Sequence, residues 1–136
     1  MSNTLVQLSP IDKTAAGDPL IRATLGGSLT GDDLPLLKSW ADGLHAAIKE
    51  AGTLKNNGKC VRVIIDLSSF EMYTDPRVLT ILSDLMKDDD QYVYRTATWG
   101  GNALHVMIEN VITSMAGRSN LRNFKDQDEA MKWLES

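Results

Sequence analysis

The sequence predicts an α/β fold in which helices, about four of them, cover a mixed, largely parallel sheet of about five strands. Two patterns support this prediction. The apolar run from Val61 to Ile65 is β-branched and too short for a helix, as is typical of a strand buried on both faces. Around it, segments with helical three-to-four spacing alternate with short strand-like segments, which favours right-handed crossovers. Val61 to Asp66 is therefore predicted to be a central parallel strand.

Composition and charge restrict the classes of function. The 136 residues suit one domain, residues 1–136, with 43% hydrophobic and 24% charged residues. A net charge of −4 repels nucleic acid and anionic membranes, so nucleic-acid binding is disfavoured. No apolar run approaches the roughly 20 residues of a membrane span, and the N-terminus lacks a signal-peptide pattern. With a single cysteine, Cys60, which is predicted to be a buried thiol, these features predict a soluble cytoplasmic protein.

The segments before the central strand predict a hairpin and a helix. Residues Leu5 to Leu8 and Leu20 to Leu25 are typical of antiparallel strands joined by a long loop that contains glycine and proline. The next segment predicts a helix that starts at Thr30 or Asp32 and ends at Gly52. Its apolar residues recur every three to four positions, so one face should cover the sheet.

The segments after the central strand continue the alternation of helices and strands. Arg95 lies in the middle of the strand-like segment Tyr92 to Trp99, which indicates an edge strand or a partly exposed face. A homodimer that pairs through such an edge is one expectation. The predicted elements in this half are a helix around Val78–Met86, a strand at Tyr92–Trp99, a helix at Leu104–Met115, a short strand at Leu121–Phe124 and a last helix capped by Asp126.

Several titratable residues are interpreted as structural. His45 lies beside the apolar stripe of its helix and has no acidic or histidine neighbour at i+3 or i+4, so we expect an exposed or hydrogen-bonded side chain, not a metal ligand. The acidic run Asp88–Asp90 lacks the spacing of a calcium loop and is predicted to be a solvated helix stop. The basic cluster of Arg118, Arg122 and Lys125 is also predicted to be solvated. No metal site is predicted.

The bend after the central strand is the candidate functional surface. Polar residues interrupt the apolar pattern here, and order resumes at Asp75 and Pro76, where Asp75 can cap a helix and Pro76 can occupy its first position. Binding sites in open α/β sheets collect at the carboxyl ends of strands. We therefore predict an interaction surface formed by Asp66, Ser68, Ser69, Thr74, Asp75 and Arg77.

The element order and the segment VIIDLSSF, residues 63–70, resemble the STAS fold of sulfate transporters and anti-sigma factor antagonists. The ending FKDQDEAMKWLES resembles the SpoIIAA-like subgroup, and the similarity extends from Leu20 to Leu134. In the antagonists, an Ile-Asp-Leu-Ser strand leads to an Asp-Ser-Ser-Gly turn in which a partner kinase phosphorylates a serine. Here Asp66-Leu67-Ser68 matches the strand, but Thr74-Asp75-Pro76-Arg77 stands at the turn.

The resemblance implies a non-enzymatic regulatory module that binds a protein partner and needs no cofactor. Because Asp75 supplies a permanent negative charge where the antagonists keep the modified serine, we hypothesise that the serine switch is absent. One alternative is a carrier of a small, lipid-like apolar ligand, whose pocket would be formed by Met107, Ile108, Val111 and Met115. An enzyme would have to use Asp66, His105 and the hydroxyl of Ser68 or Thr74. Because no nucleophile-elbow motif is present, we predict no catalytic residues.

Overall fold

A computed structural model of the chain describes residues 17–53, 60–71, 75–100 and 120–136, and also the backbone of residues 5–8, 12–13 and 72–73. The predicted helix at Leu104–Met115 and residue Arg118 lie outside the described residues. The described elements are β1 (Leu5–Leu8), β2 (Asp12–Lys13), β3 (Pro19–Leu29), a 3₁₀ turn (Gly31–Asp33), α1 (Leu34–Gly52), β4 (Val61–Asp66), β5 (Phe70–Tyr73), α2 (Arg77–Asp89), β6 (Val93–Trp99), β7 (Leu121–Phe124) and α3 (Gln127–Glu135).

The sheet is mixed and largely parallel, with the order β1-β3-β4-β6-β7. Strand β4 pairs in parallel with β3 on one side and with β6 on the other, and β7 pairs in parallel with β6. The short strands β1 and β2 are antiparallel to β3, while β5 runs parallel to the end of β3. The predicted fold class, the N-terminal hairpin and the central position of Val61 to Asp66 are therefore confirmed.

Two strands differ from the sequence prediction. Strand β6 is not an edge, because it is hydrogen-bonded to β4 and to β7, and so it offers no free edge for a homodimer. The charge of Arg95 is instead accommodated on a half-buried face, where its guanidinium donates to the carbonyl oxygen of Trp133. Strand β5 lies where the sequence suggested only a polar bend. It forms because the end of β3 extends beyond β4 and leaves backbone groups for β5 to pair with.

Helices α1 and α2 cover one face of the sheet and build the larger core. Every second residue of β3 and β4 points to this face, as the alternation of a strand requires. The 3₁₀ turn that precedes α1 is capped by Thr30, whose hydroxyl accepts the N–H of Asp32, while Asp33 accepts the N–H of Thr30. The core includes Ile21, Leu25, Leu37, Leu44, Ile48, Val63, Ile65, Val78, Leu82 and Leu85.

The acidic run at the end of α2 is not uniformly solvated as predicted. Asp88 is exposed, but the side chain of Asp89 is only 2% exposed and its Oδ1 lies 2.5 Å from Nδ1 of His45 on α1. The packing of α2 against α1 places Asp89 under His45, because helical spacing continues the apolar face of α2 through this position. His45 is thus hydrogen-bonded, as expected. Its partner, Asp89, lies on another helix and could not be predicted from residue spacing along α1.

Helix α3 covers part of the opposite face and packs there on a small apolar cluster. The cluster consists of Leu20, Ile64, Ala97, Ala130 and Leu134. Beside it, Nε of Arg62 donates to the carbonyl oxygen of Leu134 at 2.6 Å, and Nη1 of Arg95 donates to that of Trp133 at 2.6 Å. These arginines satisfy carbonyl groups that the end of a helix leaves without partners, and their charge complements the helix dipole.

None of the described helices is long and apolar enough to cross a membrane.

Candidate functional site

The turn between β4 and β5 projects from the carboxyl end of the central strand. Oδ1 of Asp66 accepts the backbone N–H of Ser68 at 2.8 Å and its hydroxyl at 2.6 Å. The N–H of Phe70 closes the turn on the carbonyl oxygen of Leu67 at 3.0 Å. An aspartate that accepts an N–H two residues later stabilises a turn without help from other elements. Ser68 and Ser69 are consequently held in fixed positions, and both are exposed.

Two glycines clamp this turn from its neighbouring strands. The N–H of Gly27 on β3 donates to the carbonyl oxygen of Ser69 at 2.8 Å, and the N–H of Leu67 donates to that of Trp99 at 2.9 Å. Gly100, which follows β6, has φ +84°, and a Cβ placed there would lie 2.6 Å from Cα of Ser68. Only glycine permits this approach. The register of the sheet places both Gly27 and Gly100 beside this turn.

The start of α2 carries the second group of predicted site residues. Oδ1 of Asp75 accepts the backbone N–H of Arg77 at 2.9 Å, and the same carboxylate pairs with the guanidinium, with an Nη2–Oδ2 distance of 2.6 Å. Pro76 has helical dihedral angles, φ −58° and ψ −21°. Asp75 therefore caps the helix and Pro76 opens it, as the sequence suggested, although α2 is assigned from Arg77.

The contacts of Arg77 stabilise the charged form of Asp75. They lower the pKa of Asp75 from 3.8 to about 2, first through the side-chain hydrogen bond, then through the backbone N–H and the positive charge of the guanidinium. In return, Asp75 raises the pKa of Arg77. The side chain of Arg77 is 71% exposed and that of Asp75 is 17% exposed, so the guanidinium faces solvent and shields the carboxylate.

The structure divides the predicted surface into two groups on one rim. Asp66, Ser68 and Ser69 stand before β5, whereas Asp75 and Arg77 stand after it, and four residues of strand extend over about 13 Å. Glu71 lies between the groups and its Oε2 accepts the hydroxyl of Ser28 at 3.0 Å. Thr74 lies outside the described residues. A partner that contacts both groups would need to cover the length of β5, which is a protein-sized footprint.

The described residues give little support to the two alternative functions, a carrier of an apolar ligand and an enzyme. Met107, Ile108, Val111 and Met115 lie outside them, as does His105. Between the sheet and the helices α1 and α2, described residues line a partly open apolar cavity of about 50 Å³. Pockets for drug-sized ligands occupy about 300–1,000 Å³. The carrier hypothesis stays a prediction.

The polar contacts of the turn are structural. The carboxylate of Asp66 accepts both the N–H and the hydroxyl of Ser68, so it stabilises the turn. In the part of the chain that the structure describes, His45 is the single histidine, and it is paired with Asp89. No group of three His, Cys, Asp or Glu side chains suited to a metal ion occurs among these described residues.

Solved structures with the same architecture extend over nearly the whole chain. An uncharacterised protein of the DUF3478 family with a SpoIIAA-like fold, from Shewanella loihica PV-4, superposes with a TM-score of 0.64 at 18% identity, covering 98% of both chains. An anti-sigma factor antagonist from Mycobacterium paratuberculosis gives 0.63 at 12% identity, with 98% of this chain and 96% of that chain covered. The chain has the SpoIIAA-like fold. Bacillus SpoIIAA in its phosphorylated form also matches, with a TM-score of 0.53 at 15% identity over 95% of this chain and 98% of that one.

The likeness to SpoIIAA is one of fold. No protein-family model matches the sequence, and no curated protein matches it significantly. The sequence resemblance therefore rests on the short motifs around Asp66 and at the C-terminal helix. Within the SpoIIAA-like fold, Asp75 occupies the start of the helix that follows the central strand, where an anion is favoured by free N–H groups and by the helix dipole.

Proposed function

We propose that this protein is a non-enzymatic regulatory module that binds a protein partner through the rim formed by Asp66, Ser68, Ser69, Asp75 and Arg77. The proposal takes its partner class from the anti-sigma factor antagonists that share the fold. We further propose that the module works without a phosphorylation switch on this rim and acts in the cytoplasm.

The observation that carries the proposal is the fixed negative charge at the start of α2. Asp75 accepts the N–H of Arg77 and pairs with its guanidinium, and the pKa of Asp75 is lowered to about 2. A phosphorylated serine would bring a negative charge to the same kind of position only after a kinase reaction. Here the charge is present at every physiological pH. The surface is therefore constitutive.

The chemistry of the rim favours a protein over a small ligand. Ser68, Ser69, Glu71 and Arg77 are exposed, and two of them carry opposite charges. The two groups of residues are separated by the length of β5 and share no enclosed cavity among the described residues. Arginine is enriched at protein interfaces because its planar guanidinium forms several hydrogen bonds at once. Arg77, whose side chain is 71% exposed, is the expected anchor.

A test of the proposal begins by capturing the tagged protein from its native cells and identifying the protein that copurifies. The purified partner is then titrated by calorimetry. Arg77→Glu and Ser68→Arg are each expected to weaken binding about tenfold or more, which corresponds to a loss of about 1.4 kcal/mol of binding free energy. Arg77→Glu removes a central arginine of the interface, and Ser68→Arg places a bulky side chain where the partner covers the turn. Lys132→Glu, on exposed α3, is the matched control and should leave the affinity unchanged. Equal affinity in all variants would refute the rim as the binding surface.

The absence of a switch has its own test. Protein expressed in its native cells is expected to show the unmodified intact mass. A stoichiometric phosphate mapped to Ser68, Ser69 or Thr74 would contradict the proposal of a constitutive surface. Such a phosphate would not test partner binding by the rim, which the calorimetric titration measures separately.

A further inference from the structure

Arginines and aromatic side chains alternate in one continuous stack on the α3 face of the sheet. Each guanidinium carbon lies between 4.5 and 5.6 Å from the centroid of the ring that it covers. The stack crosses β4, β6, α3 and β7, so only the packing of these four elements brings its members together. We call it the arginine–aromatic strip, and it consists, in order, of Arg62, Tyr94, Arg95, Trp133, Arg122 and Phe124.

The three arginines of the strip differ in the partners of their charge. Arg62, at one end, is 13% exposed and forms an ion pair with Asp18 at 3.0 Å. The side-chain hydrogen bonds of Arg95, in the middle, all come from Nη1, so Nε and Nη2 donate to no described residue. Arg122, at the other end, is exposed, and its side chain makes no hydrogen bond and no ion pair with any described residue. The positive charge of the strip is therefore available at its Arg122 end.

Stacking fixes the direction in which Arg122 can bind an anion. Its guanidinium lies over Trp133 at 5.6 Å and over Phe124 at 5.4 Å. A guanidinium whose face rests on rings keeps its edge, with up to five N–H donors, for a carboxylate in a bidentate arrangement. The first turn of α3 carries Asp128 and Glu129, but neither carboxylate pairs with Arg122. The acceptor that fits this edge must therefore come from outside the described chain.

The composition and length of the strip favour a protein segment as its occupant. Arginine, tryptophan and tyrosine are the residue types enriched among those that dominate binding energy at protein interfaces. Tyr94, Trp133 and Phe124 are partly exposed, so each ring keeps apolar surface for a partner. Successive groups lie about 5 Å apart, and the whole strip matches an extended peptide of about six residues. The net charge of −4 disfavours nucleic acid.

We infer that the arginine–aromatic strip is a docking surface for an acidic, extended segment of a protein partner. A glutamate or aspartate of the segment pairs with the edge of Arg122, and its apolar side chains pack on Trp133 and Tyr94. This surface goes beyond the proposed rim, because α3 and α2 cover opposite faces of the sheet and the rim lies at the start of α2. The two surfaces can therefore be occupied at the same time.

NMR titration of the whole chain with a synthetic peptide tests the inference. The probe is acetyl-Glu-Leu-Glu-Gly-Glu-Leu-amide, and the reporters are the indole N–H signals of Trp133 in the strip and Trp40 in the core under α1. We expect the peptide to shift the Trp133 signal in a saturable way and to leave Trp40 unchanged. The neutral peptide acetyl-Gln-Leu-Gln-Gly-Gln-Leu-amide should bind about tenfold more weakly or worse, because it lacks the charge-assisted contacts.

Variants of Arg122 assign the contact. Arg122→Met keeps much of the aliphatic stem but removes the guanidinium, so it should weaken peptide binding about tenfold. Arg122→Lys keeps the charge but loses the planar fork, so it should restore only part of the affinity. An unshifted Trp40 signal shows that each variant keeps the fold. Lys87→Glu, an exposed position on α2, is the matched charge control and should leave peptide binding unchanged.

The rim and the strip can fail separately. Arg77→Glu should weaken the partner that binds the rim and leave the Trp133 response to the acidic peptide unchanged. A peptide response that depends on Arg122 supports the strip whether or not the rim binds a partner.

Three results would overturn the inference. One is the lack of a saturable Trp133 shift with the acidic peptide up to about 5 mM, a concentration that detects even millimolar affinity. Another is a response that the neutral peptide or Arg122→Met reproduces in full. The third is a saturable Trp133 shift at lower concentrations of inorganic phosphate or of oligouridylate than of the acidic peptide, which would indicate a small-anion or RNA site.

Discussion

The two faces of the sheet carry different kinds of side chain. On the face of α1 and α2, apolar side chains from two long helices form a continuous core. On the face of α3, a smaller cluster of buried residues is found in the described part of the chain, and Arg62 and Arg95 lie beside it. Arg62 stacks over Tyr94 at 4.5 Å, and Arg95 stacks over Tyr94 and Trp133 at 4.9 and 4.8 Å. The same strands thus serve a dry layer on one side and a polar layer on the other.

This difference separates stability from recognition. The apolar layer provides most of the buried area and so most of the hydrophobic stabilisation. The arginine layer holds α3 by hydrogen bonds, which contribute less free energy but impose direction. Helix α3 is short and leaves part of its sheet face uncovered, where an open cleft of about 180 Å³ is lined by Trp99 and Gln127 among others. Changes to the first layer should therefore alter stability most, and changes to the second should alter it less.

Truncation of a buried leucine gives the largest expected effect. Leu44 on α1 and Leu134 on α3 are both 0% exposed. Leu44→Ala should lower the free energy of unfolding by about 4 kcal/mol, near the upper part of the usual range, because the surrounding core is rigid on all sides. Leu134→Ala should cost about 2 kcal/mol, since α3 ends nearby and can shift to fill the space. Urea unfolding measures both, and equal costs would contradict the contrast between the faces.

The glycine that clamps the Ser68 turn gives the next effect. Gly100→Ala combines a positive φ with a Cβ that would overlap Cα of Ser68, so we expect a loss of about 2 to 3 kcal/mol and a displaced turn. Gly17 is the matched control. It has φ +87°, but a Cβ there meets nothing within 4 Å, so Gly17→Ala should cost about 1 kcal/mol from strain alone. If both variants unfold at the same urea concentration, Gly100 does not clamp the turn.

The arginines of the polar layer come third. Arg62→Met keeps much of the aliphatic stem but removes the hydrogen bond to Leu134 and the 3.0 Å ion pair with Asp18, and we expect a cost of about 1.5 kcal/mol. Arg122→Met is the control. Arg122 is exposed and stacks over Phe124 and Trp133, so its loss should cost about 0.5 kcal/mol. Hydrogen exchange of α3 amides should show the same order, and protection unchanged by Arg62→Met would argue against its capping role.

Local patterns along the sequence were sufficient for most of the fold. The β-branched run at Val61 identified the central strand, and the cap at Asp126 was correct, with its side chain accepting the N–H of Glu129 at 2.9 Å. Each of these patterns spans only a few consecutive residues, so it can be recognised without knowing which other segments of the chain pack against it. Cys60 was likewise predicted as a buried thiol from its place at the start of this strand, and it is 6% exposed.

The rest depends on partners that are distant in sequence. Asp89 looked solvated because its neighbours are acidic, but its partner His45 lies on another helix. Arg95 indicated either an edge strand or a partly exposed face, and only the pairing of β6 with β7 decides for the partly exposed face. Thr24, Asp66 and Trp99 lie in one row across β3, β4 and β6, which is apparent only once the register of these strands is known. The residues of the proposed rim are neighbours along the chain and could be grouped from the sequence, whereas the row across three strands could not.

The smallest expected effect is on the pKa of Asp75, a residue of the proposed rim. In the native protein, Asp75 should titrate with a pKa of about 2, measured by carboxyl ¹³C NMR. Arg77→Gln removes the side-chain hydrogen bond and the charge but keeps the backbone N–H, so the pKa should rise only part of the way toward 3.8. Lys132→Gln on α3 is the control and should leave it unchanged.

The sign of the accompanying pH effect follows from the lowered pKa. A carboxyl group with a lower pKa in the folded state stabilises that state above pH 3.8, and this contribution is lost as the pH falls toward 2. In Arg77→Gln, the contribution above pH 3.8 should be smaller, and its loss should be complete at a higher pH, because the folded pKa lies closer to the unfolded value. If Asp75 titrates near 3.8 in the unaltered protein, the contacts with Arg77 do not stabilise its charged form.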